Sequence, residues 1–122
     1  MLLTGKNVVI TGGGTGIGLA IARKLAAEGC NVAITGRRLE VLDQAANSFG
    51  GYAVKMDVAD EASVVTGMKS IADHFGSIDI CVANAGIAEG QNIRNSSFDF
   101  WRKIMAINLD GAYLTIRESL RH

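Results

Sequence analysis

The sequence of 122 residues contains no proline, only two cysteines and no excess of either charge. Lysine plus arginine and aspartate plus glutamate both total 12, so no basic field exists to attract nucleic acid or an anionic membrane surface. Cys30 and Cys81 lack CxxC spacing and a nearby histidine cluster, which argues against a disulfide framework and against a bound metal. No apolar run is long enough to cross a bilayer, and the first residues lack a signal-peptide pattern. These absences predict a cytoplasmic protein without a metal, nucleic-acid or membrane partner.

Apolar residues are abundant, at 48% of the total, which is enough for the core of one ordinary domain. We therefore expect residues 1–122 to form a single domain. Runs of strand formers at residues 7–10, 31–35, 52–56 and 78–83 alternate with segments of helical periodicity. This alternation predicts an α/β fold in which right-handed crossovers build a parallel sheet with helices on both faces.

Four segments have apolar residues at helical spacing, and the first three follow the first three strands. Their apolar positions are Ile17, Ile21 and Leu25, then Leu39, Leu42, Ala46 and Phe49, then Val64, Met68, Ile71 and Phe75. Asp60 is expected to cap the third helix and Gly76 to end it. Residues 86–97 have no period and predict a loop. Residues 98–122 predict one long helix, and its apolar stripe is Trp101, Met105, Asn108, Ala112 and Ile116.

A glycine-rich turn joins the first predicted strand to the first helix. It contains the residues Gly12, Gly14, Thr15, Gly16, Ile17 and Gly18. Phosphate approaches backbone N–H groups closely at a helix N-terminus, whose dipole favours anions, and side chains would block that approach. We expect Thr15 to add a hydroxyl donor and Gly18 to let the helix pack close to the strand. The glycines alternatively make only a tight connection, but the position between a strand and a helix favours dinucleotide binding.

Polar residues also stand at the predicted ends of the third and fourth strands, in the segments Asp57-Val58 and Asn84-Ala85-Gly86. Doubly wound sheets bind ligands at the carboxyl ends of their strands. Asp57 is therefore positioned to accept from an adenine amino group, or alternatively to cap the following loop. Asn84 is positioned to hold backbone and to line a ribose. Asn108 interrupts an apolar helical stripe and must be hydrogen-bonded if it is buried.

The spacing Thr-Gly-x-x-x-Gly-x-Gly at residues 11–18 resembles that of the short-chain dehydrogenase/reductase family. Asp57-Val58 resembles the family's adenine contact, and Asn84-Ala85-Gly86 resembles its Asn-Asn-Ala-Gly segment, with Ala83 in place of the first asparagine. Asn108 resembles the helix asparagine with which the family holds a proton-relay water. The resemblance covers nearly the whole chain and implies the N-terminal half of a Rossmann-type fold with strand order 3-2-1-4. It also implies hydride transfer between a nicotinamide cofactor and a carbonyl or secondary alcohol.

The end of the second predicted strand bears on the choice of cofactor. Enzymes that select NAD usually have a carboxylate there, about 20 residues past the glycine loop, to bind the ribose hydroxyls. This chain has Gly36-Arg37-Arg38. Without a carboxylate there is no repulsion of a 2′-phosphate, and Arg37 or Arg38 can bind that phosphate with a planar guanidinium. The sequence therefore favours NADP over NAD, unless both arginines only open the next helix in solvent.

The resemblance implies a catalytic serine on a fifth strand and a Tyr-x-x-x-Lys on the helix that follows it, and neither is found in the sequence. Tyr52 precedes Lys55 at the wrong spacing, and Tyr113 precedes Arg117, which does not titrate as lysine does. We interpret both tyrosines as packing residues.

An average proline content of roughly 5% predicts about six prolines, so their absence fits the loss of later segments. We expect this chain to be the N-terminal part of such an enzyme and to be inactive alone. Its last strand would form an apolar edge of the sheet, and we expect that edge to associate with a second copy or with a missing C-terminal segment.

Two other functions remain compatible with a glycine loop in this position. A non-catalytic dinucleotide-binding module needs no Tyr-x-x-x-Lys. A methyltransferase on the same fold is disfavoured, because such enzymes usually place an acidic residue on the ribose where Gly36 and Arg37 stand.

Overall fold

The structure is a computed structural model that describes residues 2–122. Four parallel strands form one sheet in the order β3-β2-β1-β4. They are β1 (Asn7–Thr11), β2 (Asn31–Gly36), β3 (Tyr52–Lys55) and β4 (Ile80–Val82). The predicted fold class and strand order are confirmed. The fourth strand is shorter than the predicted range of 78–83.

Alternation along the two central strands divides the core into two clusters, one on each face of the sheet. Val8, Ile10, Val32 and Ile34 point to one face, and Val9 and Ala33 point to the other. All six are buried because both faces of β1 and β2 are covered by helices. This explains why these strands read as continuous apolar runs rather than as an alternating pattern.

The helices α1 (Gly16–Ala27), α2 (Leu39–Asn47) and α3 (Glu61–Phe75) follow the first three strands in turn. The first two pack on the Val8 face and α3 packs on the Val9 face. Asp60 caps α3 as predicted, since its Oδ1 accepts from Ser63 N at 3.4 Å, and Gly76 ends it with φ 94°. The predicted stripe of α1 is wrong at its first position, because Ile17 is 75% exposed.

The last helical region consists of α4 (Phe98–Met105), a π-helical turn at Ala106–Asp110 and α5 (Gly111–Leu120). The predicted stripe is wrong here as well, since Trp101 and Ile116 are 55% and 49% exposed. The buried face of α5 is formed by Gly111, Leu114, Thr115 and Glu118.

The residue types on this face explain the error. Gly111 is buried because α5 packs closely against the loop that follows β3. A Cβ at position 111 would lie 2.7 Å from Val58 Cγ2. Glu118 is buried because its Oε2 accepts from Arg117 Nε at 2.8 Å and pairs with Arg121 at 2.9 Å. Glycine and glutamate do not mark a core face in a sequence, whereas tryptophan and isoleucine do.

The amino ends of the strands are closed by a network of side chains centred on Asn7. Its Nδ2 donates to Ser77 Oγ at 3.2 Å and to Phe75 O at 3.4 Å, and its Oδ1 accepts from Asn31 Nδ2 at 2.9 Å. Asn7 N donates to Asp79 Oδ2 at 2.8 Å. Asn7 is buried and every polar atom of its side chain has a partner.

Within residues 2–122, no helix is both long enough and apolar enough to cross a membrane. The two edges of the sheet are β3 and β4. The residues of β4 are only half-buried, unlike those of β1.

Candidate nucleotide-binding site

The carboxyl ends of the strands meet at two adjoining cavities of ≈ 230 and ≈ 110 Å³. Five residues line both cavities: Gly12, Thr15, Thr35, Gly36 and Arg37. The larger cavity extends toward the ends of β3 and β4, and the smaller one lies against the start of α2. We refer to the two cavities together as the cleft.

Seven of the residues predicted for a cofactor site line the larger cavity: Gly12, Thr15, Arg37, Asp57, Val58, Ala85 and Gly86. Gly14 and Arg38 line the smaller one. Gly16, Ile17, Gly18, Asn84 and Asn108 line neither cavity. Most of the predicted site residues therefore line the cleft, and the five just named do not.

The glycine loop has a different use for each glycine. At Gly18 a Cβ would overlap Gly12 O and lie 2.6 Å from Asn84 Nδ2, so this position keeps α1 against the end of β1. At Gly16 φ is 55° and a Cβ would meet no atom within 4 Å, so the space above it is open. The first turn of α1 contains no acidic residue, and the Thr15 side chain makes no capping bond to the described backbone. Free N–H groups and open space at a helix N-terminus fit a phosphate.

Asn84 braces the loop. Its Nδ2 donates to Thr11 O at 3.1 Å and to Gly12 O at 3.2 Å. Thr11 Oγ1 in turn accepts from Asn84 N at 3.1 Å and from Ala85 N at 3.0 Å. These four bonds fix the end of β4 to the end of β1, so the backbone-holding role predicted for Asn84 is observed.

Asp57 and Val58 follow β3. Asp57 Oδ1 accepts from Ala59 N at 3.0 Å, which is the loop-capping contact that the sequence left as an alternative. Asp57 N donates to Ser63 Oγ at 2.9 Å, which ties this corner to the first turn of α3. Val58 is buried in the second core cluster and also lines the larger cavity.

Arg37 and Arg38 are exposed at the end of β2. In the part of the chain that the structure describes, neither guanidinium forms an ion pair. Arg37 lines both cavities, whereas Arg38 lines only the smaller one. Two unpaired cations beside a cleft favour an anionic ligand.

Sequence reasoning missed Thr35 as a site residue. Thr35 lines both cavities and is 0% exposed, and its hydroxyl has no hydrogen-bond partner among residues 2–122. Its place directly before Gly36-Arg37, at the carboxyl end of a central strand, is the signal that would have found it. Ile87 and Ile107 were also missed, and they form an apolar wall of the larger cavity.

Asn108 lies in the π-helical turn and is exposed rather than buried. Its Oδ1 accepts from Ile87 N at 2.9 Å, and its Nδ2 donates to Ile87 O at 2.9 Å. The amide thus holds the segment that follows β4 against the helix. This contact, rather than burial, satisfies its polar atoms.

Two further observations limit the chemistry of the described residues. Burial raises the pKa of the Cys81 thiol, while a hydrogen bond with Ser119 opposes this shift, so the thiol stays protonated near neutral pH. No three histidine, cysteine, aspartate or glutamate side chains in residues 2–122 come together as a metal site.

This strand order with a glycine loop after the first strand is typical of dinucleotide-binding proteins. The family model described as short chain dehydrogenase matches residues 6–122. The chain therefore belongs to the short-chain dehydrogenase family, which confirms the resemblance seen in the sequence.

Similar proteins share nearly the whole of this chain. An NADP-dependent (R)-specific alcohol dehydrogenase of Lentilactobacillus kefiri is 40% identical over 94% of the chain, and meso-2,3-butanediol dehydrogenase of Serratia marcescens is 35% identical over 100%. The structure of a 3-ketoacyl-(acyl-carrier-protein) reductase from Brucella melitensis complexed with NADH superposes with a TM-score of 0.94 at 33% identity, over 98% of the chain. The chain spans about half the length of these proteins, at 47%, 50% and 51%.

Proposed function

We propose that this protein binds NADP(H) in the cleft and transfers hydride between this cofactor and a carbonyl or secondary alcohol. Arg37 carries the choice of cofactor, because its unpaired side chain lines both cavities and no carboxylate ends β2. Family membership does not make this choice, since the Lentilactobacillus kefiri relative is NADP-dependent and the Brucella melitensis reductase contains NADH. A 2′-phosphate beside Arg37 and Arg38 would gain charge-assisted hydrogen bonds that NAD cannot form.

The other residues have distinct roles in this proposal. The N–H groups that open α1, with the Thr15 hydroxyl, bind the pyrophosphate above Gly16. Asp57 accepts from the adenine amino group through Oδ2, the carboxylate oxygen that Ala59 N does not use. Asn84 reaches the ribose with Oδ1, because its Nδ2 is already committed to the loop.

Four further residues complete the cofactor site. Val58, Ala85 and Gly86 form its wall, and Ile17 covers it from the start of α1. The bound cofactor would give hydride to a carbonyl or accept it from an alcohol. Asn108, whose amide binds the backbone of Ile87, would position a proton-relay water.

Titration of NADPH and NADH against the full chain tests the cofactor assignment. We expect NADPH to bind more tightly, and Arg37→Asp to weaken NADPH binding about 10- to 100-fold, the range for a lost hydrogen bond to a charged group. Arg94→Asp is the matched control, since Arg94 is exposed and lines neither cavity. Equal affinities that ignore the Arg37 substitution would contradict the assignment.

Turnover tests whether these 122 residues transfer hydride by themselves, and its absence fits both an inactive part of an oxidoreductase and a non-catalytic dinucleotide-binding module. The module is favoured by one observation, that the 122 residues contain no Tyr-x-x-x-Lys. With NADPH and a simple ketone, we expect these 122 residues alone to bind the cofactor without turning it over. Turnover by them would contradict our interpretation of Tyr52 and Tyr113 as packing residues.

We also propose that this domain works in the cytoplasm as part of a larger assembly. Six large apolar side chains of the last helical region are exposed: Phe98, Trp101, Leu109, Tyr113, Ile116 and Leu120. They and the half-buried edge strand β4 favour association with a second copy or with a further segment of polypeptide. Intact mass and light scattering distinguish these arrangements, and a lone 12.8 kDa monomer in solution would contradict both.

A further inference from the structure

Gly111 is the first residue of α5 and directly follows the π-helical turn at Ala106–Asp110. It is buried, and a Cβ at this position would lie 2.7 Å from Val58 Cγ2, 3.0 Å from Val58 Cβ and 3.3 Å from Val58 O. Its φ is −62°, which any residue adopts. Glycine is therefore required here for space, because a side chain would overpack the contact between α5 and Val58.

The π-helical turn before Gly111 carries part of the larger cavity. Ile107 in this turn lines the cavity together with Val58, and it packs against the core cluster to which Val58 belongs. Asn108, the next residue, bonds the backbone N and O of Ile87, which also lines the cavity. The position of this turn therefore determines where Ile107 and Ile87 lie relative to Val58.

The neighbours of the turn leave it little room to adjust. Further along α5, Leu114 is buried in the same core cluster, and Arg117 Nη2 pairs with Glu61 of α3 at 2.8 Å. On the side of β4, Asn108 packs closely on Gly86, since a Cβ there would lie 3.1 Å from Asn108 Oδ1. A side chain at Gly111 would therefore displace the start of α5 and the turn attached to it, rather than the whole helix.

The larger cavity combines apolar walls with one carboxylate. Val58, Ile87 and Ile107 supply apolar side chains, and Asp57 lines the same cavity. Apolar walls with a single acceptor fit a flat aromatic base that carries an amino group. In the proposed function that base is the adenine of NADP(H).

We propose that Gly111 is a positioning residue for adenine binding: its missing side chain lets α5 lie against Val58 and so holds the π-helical turn, with Ile107 and Asn108, at the larger cavity. The inference rests on the proposed binding of NADP(H). Gly111 itself lines neither cavity, so it acts through Val58 and the turn.

The test measures dissociation constants of the full chain for NADPH and for adenosine 2′,5′-bisphosphate. We expect Gly111→Ala to weaken both about tenfold, the loss of contact with about two methyl groups. Gly51→Ala is the matched control, since a Cβ at Gly51 would overlap the Phe49 ring and Gly51 lines neither cavity. Gly51→Ala should bind both ligands normally even if its melting temperature falls.

Two further measurements follow the route of the effect. Hydrogen exchange of the Ile87 amide should be faster in Gly111→Ala than in Gly51→Ala, because a displaced Asn108 no longer holds that N–H. Val58→Ala removes the closest methyl group, so Gly111→Ala should weaken binding less in a Val58→Ala background than alone.

Unchanged affinity in Gly111→Ala overturns the inference, and so does an equal loss in Gly51→Ala, which would indicate a general loss of stability. Strictly multiplicative losses in the double variant overturn the route through Val58, and unchanged Ile87 exchange overturns the route through the turn.

If Gly111→Ala does not fold, the double variant is compared with Val58→Ala. Ile87 exchange should still be faster in the double variant, because Val58 Cβ and O would remain 3.0 and 3.3 Å from the new methyl group. Equal exchange overturns the inference. Absence of binding by the unaltered protein overturns the proposed function, whereas binding that ignores Gly111→Ala overturns this inference alone.

Discussion

The two ends of the parallel sheet are built in opposite ways. At the amino ends, Asn7 connects β1 to Asn31 and to the segment before β4, and every polar atom of its side chain has a partner. At the carboxyl ends, the Thr35 hydroxyl has no partner in the described chain and the Arg37 guanidinium forms no ion pair there. One end is complete without a ligand, whereas the other leaves donors and charges available.

This difference explains how one small domain combines stability with binding. Unsatisfied buried groups destabilise a fold, and this chain tolerates two such hydroxyls, that of Thr35 beside the cleft and that of Thr115 on α5. Parallel strands place all their carboxyl ends at one edge, so the available groups collect there. The amino ends then serve to stabilise the fold, and substitutions at the two ends should differ in their effects.

The largest effect is expected at Gly18, because a Cβ there would overlap Gly12 O. Gly18→Ala forces α1 away from β1, and we expect it to lower the free energy of unfolding by about 3 kcal/mol, the upper range for overpacking against a rigid neighbour. Urea denaturation measures this loss. Gly90→Ala is the matched control, since a Cβ at Gly90 would meet no atom within 4 Å. Equal stability of the two variants would show that Gly18 is not required for packing.

Features that depend on local sequence were easier to predict than features that depend on contacts in the folded chain. Strands, glycine loop and cleft residues were predictable because apolar runs and glycines at a strand end depend on local chemistry. The buried face of α5 was not predictable, since it includes Glu118, a charged residue whose carboxylate is paired with Arg117 and Arg121 in the folded chain. Thr35 was also missed, because whether a threonine hydroxyl has a partner depends on the neighbouring strands, which only the folded sheet defines.

An intermediate effect is expected at Asn7, in the closed end. Asn7→Ala leaves Ser77, Phe75 and Asn31 without their side-chain partner, and an unsatisfied buried group costs about 1–3 kcal/mol. We expect the free energy of unfolding to fall by about 2 kcal/mol while the ratio of NADPH to NADH affinity stays constant. Denaturation and cofactor titration measure the two quantities. A changed ratio of NADPH to NADH affinity would show that the amino ends of the strands also affect cofactor binding.

The smallest effect on stability, and the sharpest contrast between the ends, is expected from Gly16 and Gly5. Both have positive φ, 55° and 80°, and a Cβ on either would meet no atom within 4 Å, but Gly16 lies at the carboxyl end of the sheet and Gly5 before β1 at the amino end. Gly16→Ala and Gly5→Ala should each cost about 1 kcal/mol of unfolding free energy, because alanine is strained at positive φ. Alanine is preferred to valine, whose β-branch would add strain at the same φ.

NADPH binding should be weakened at least about tenfold by Gly16→Ala, since the new methyl group occupies the space through which phosphate approaches the N–H groups of α1. Gly5→Ala should bind NADPH normally. Because the two variants carry the same backbone strain, equal NADPH affinities would show that the open space above Gly16 is not a phosphate site.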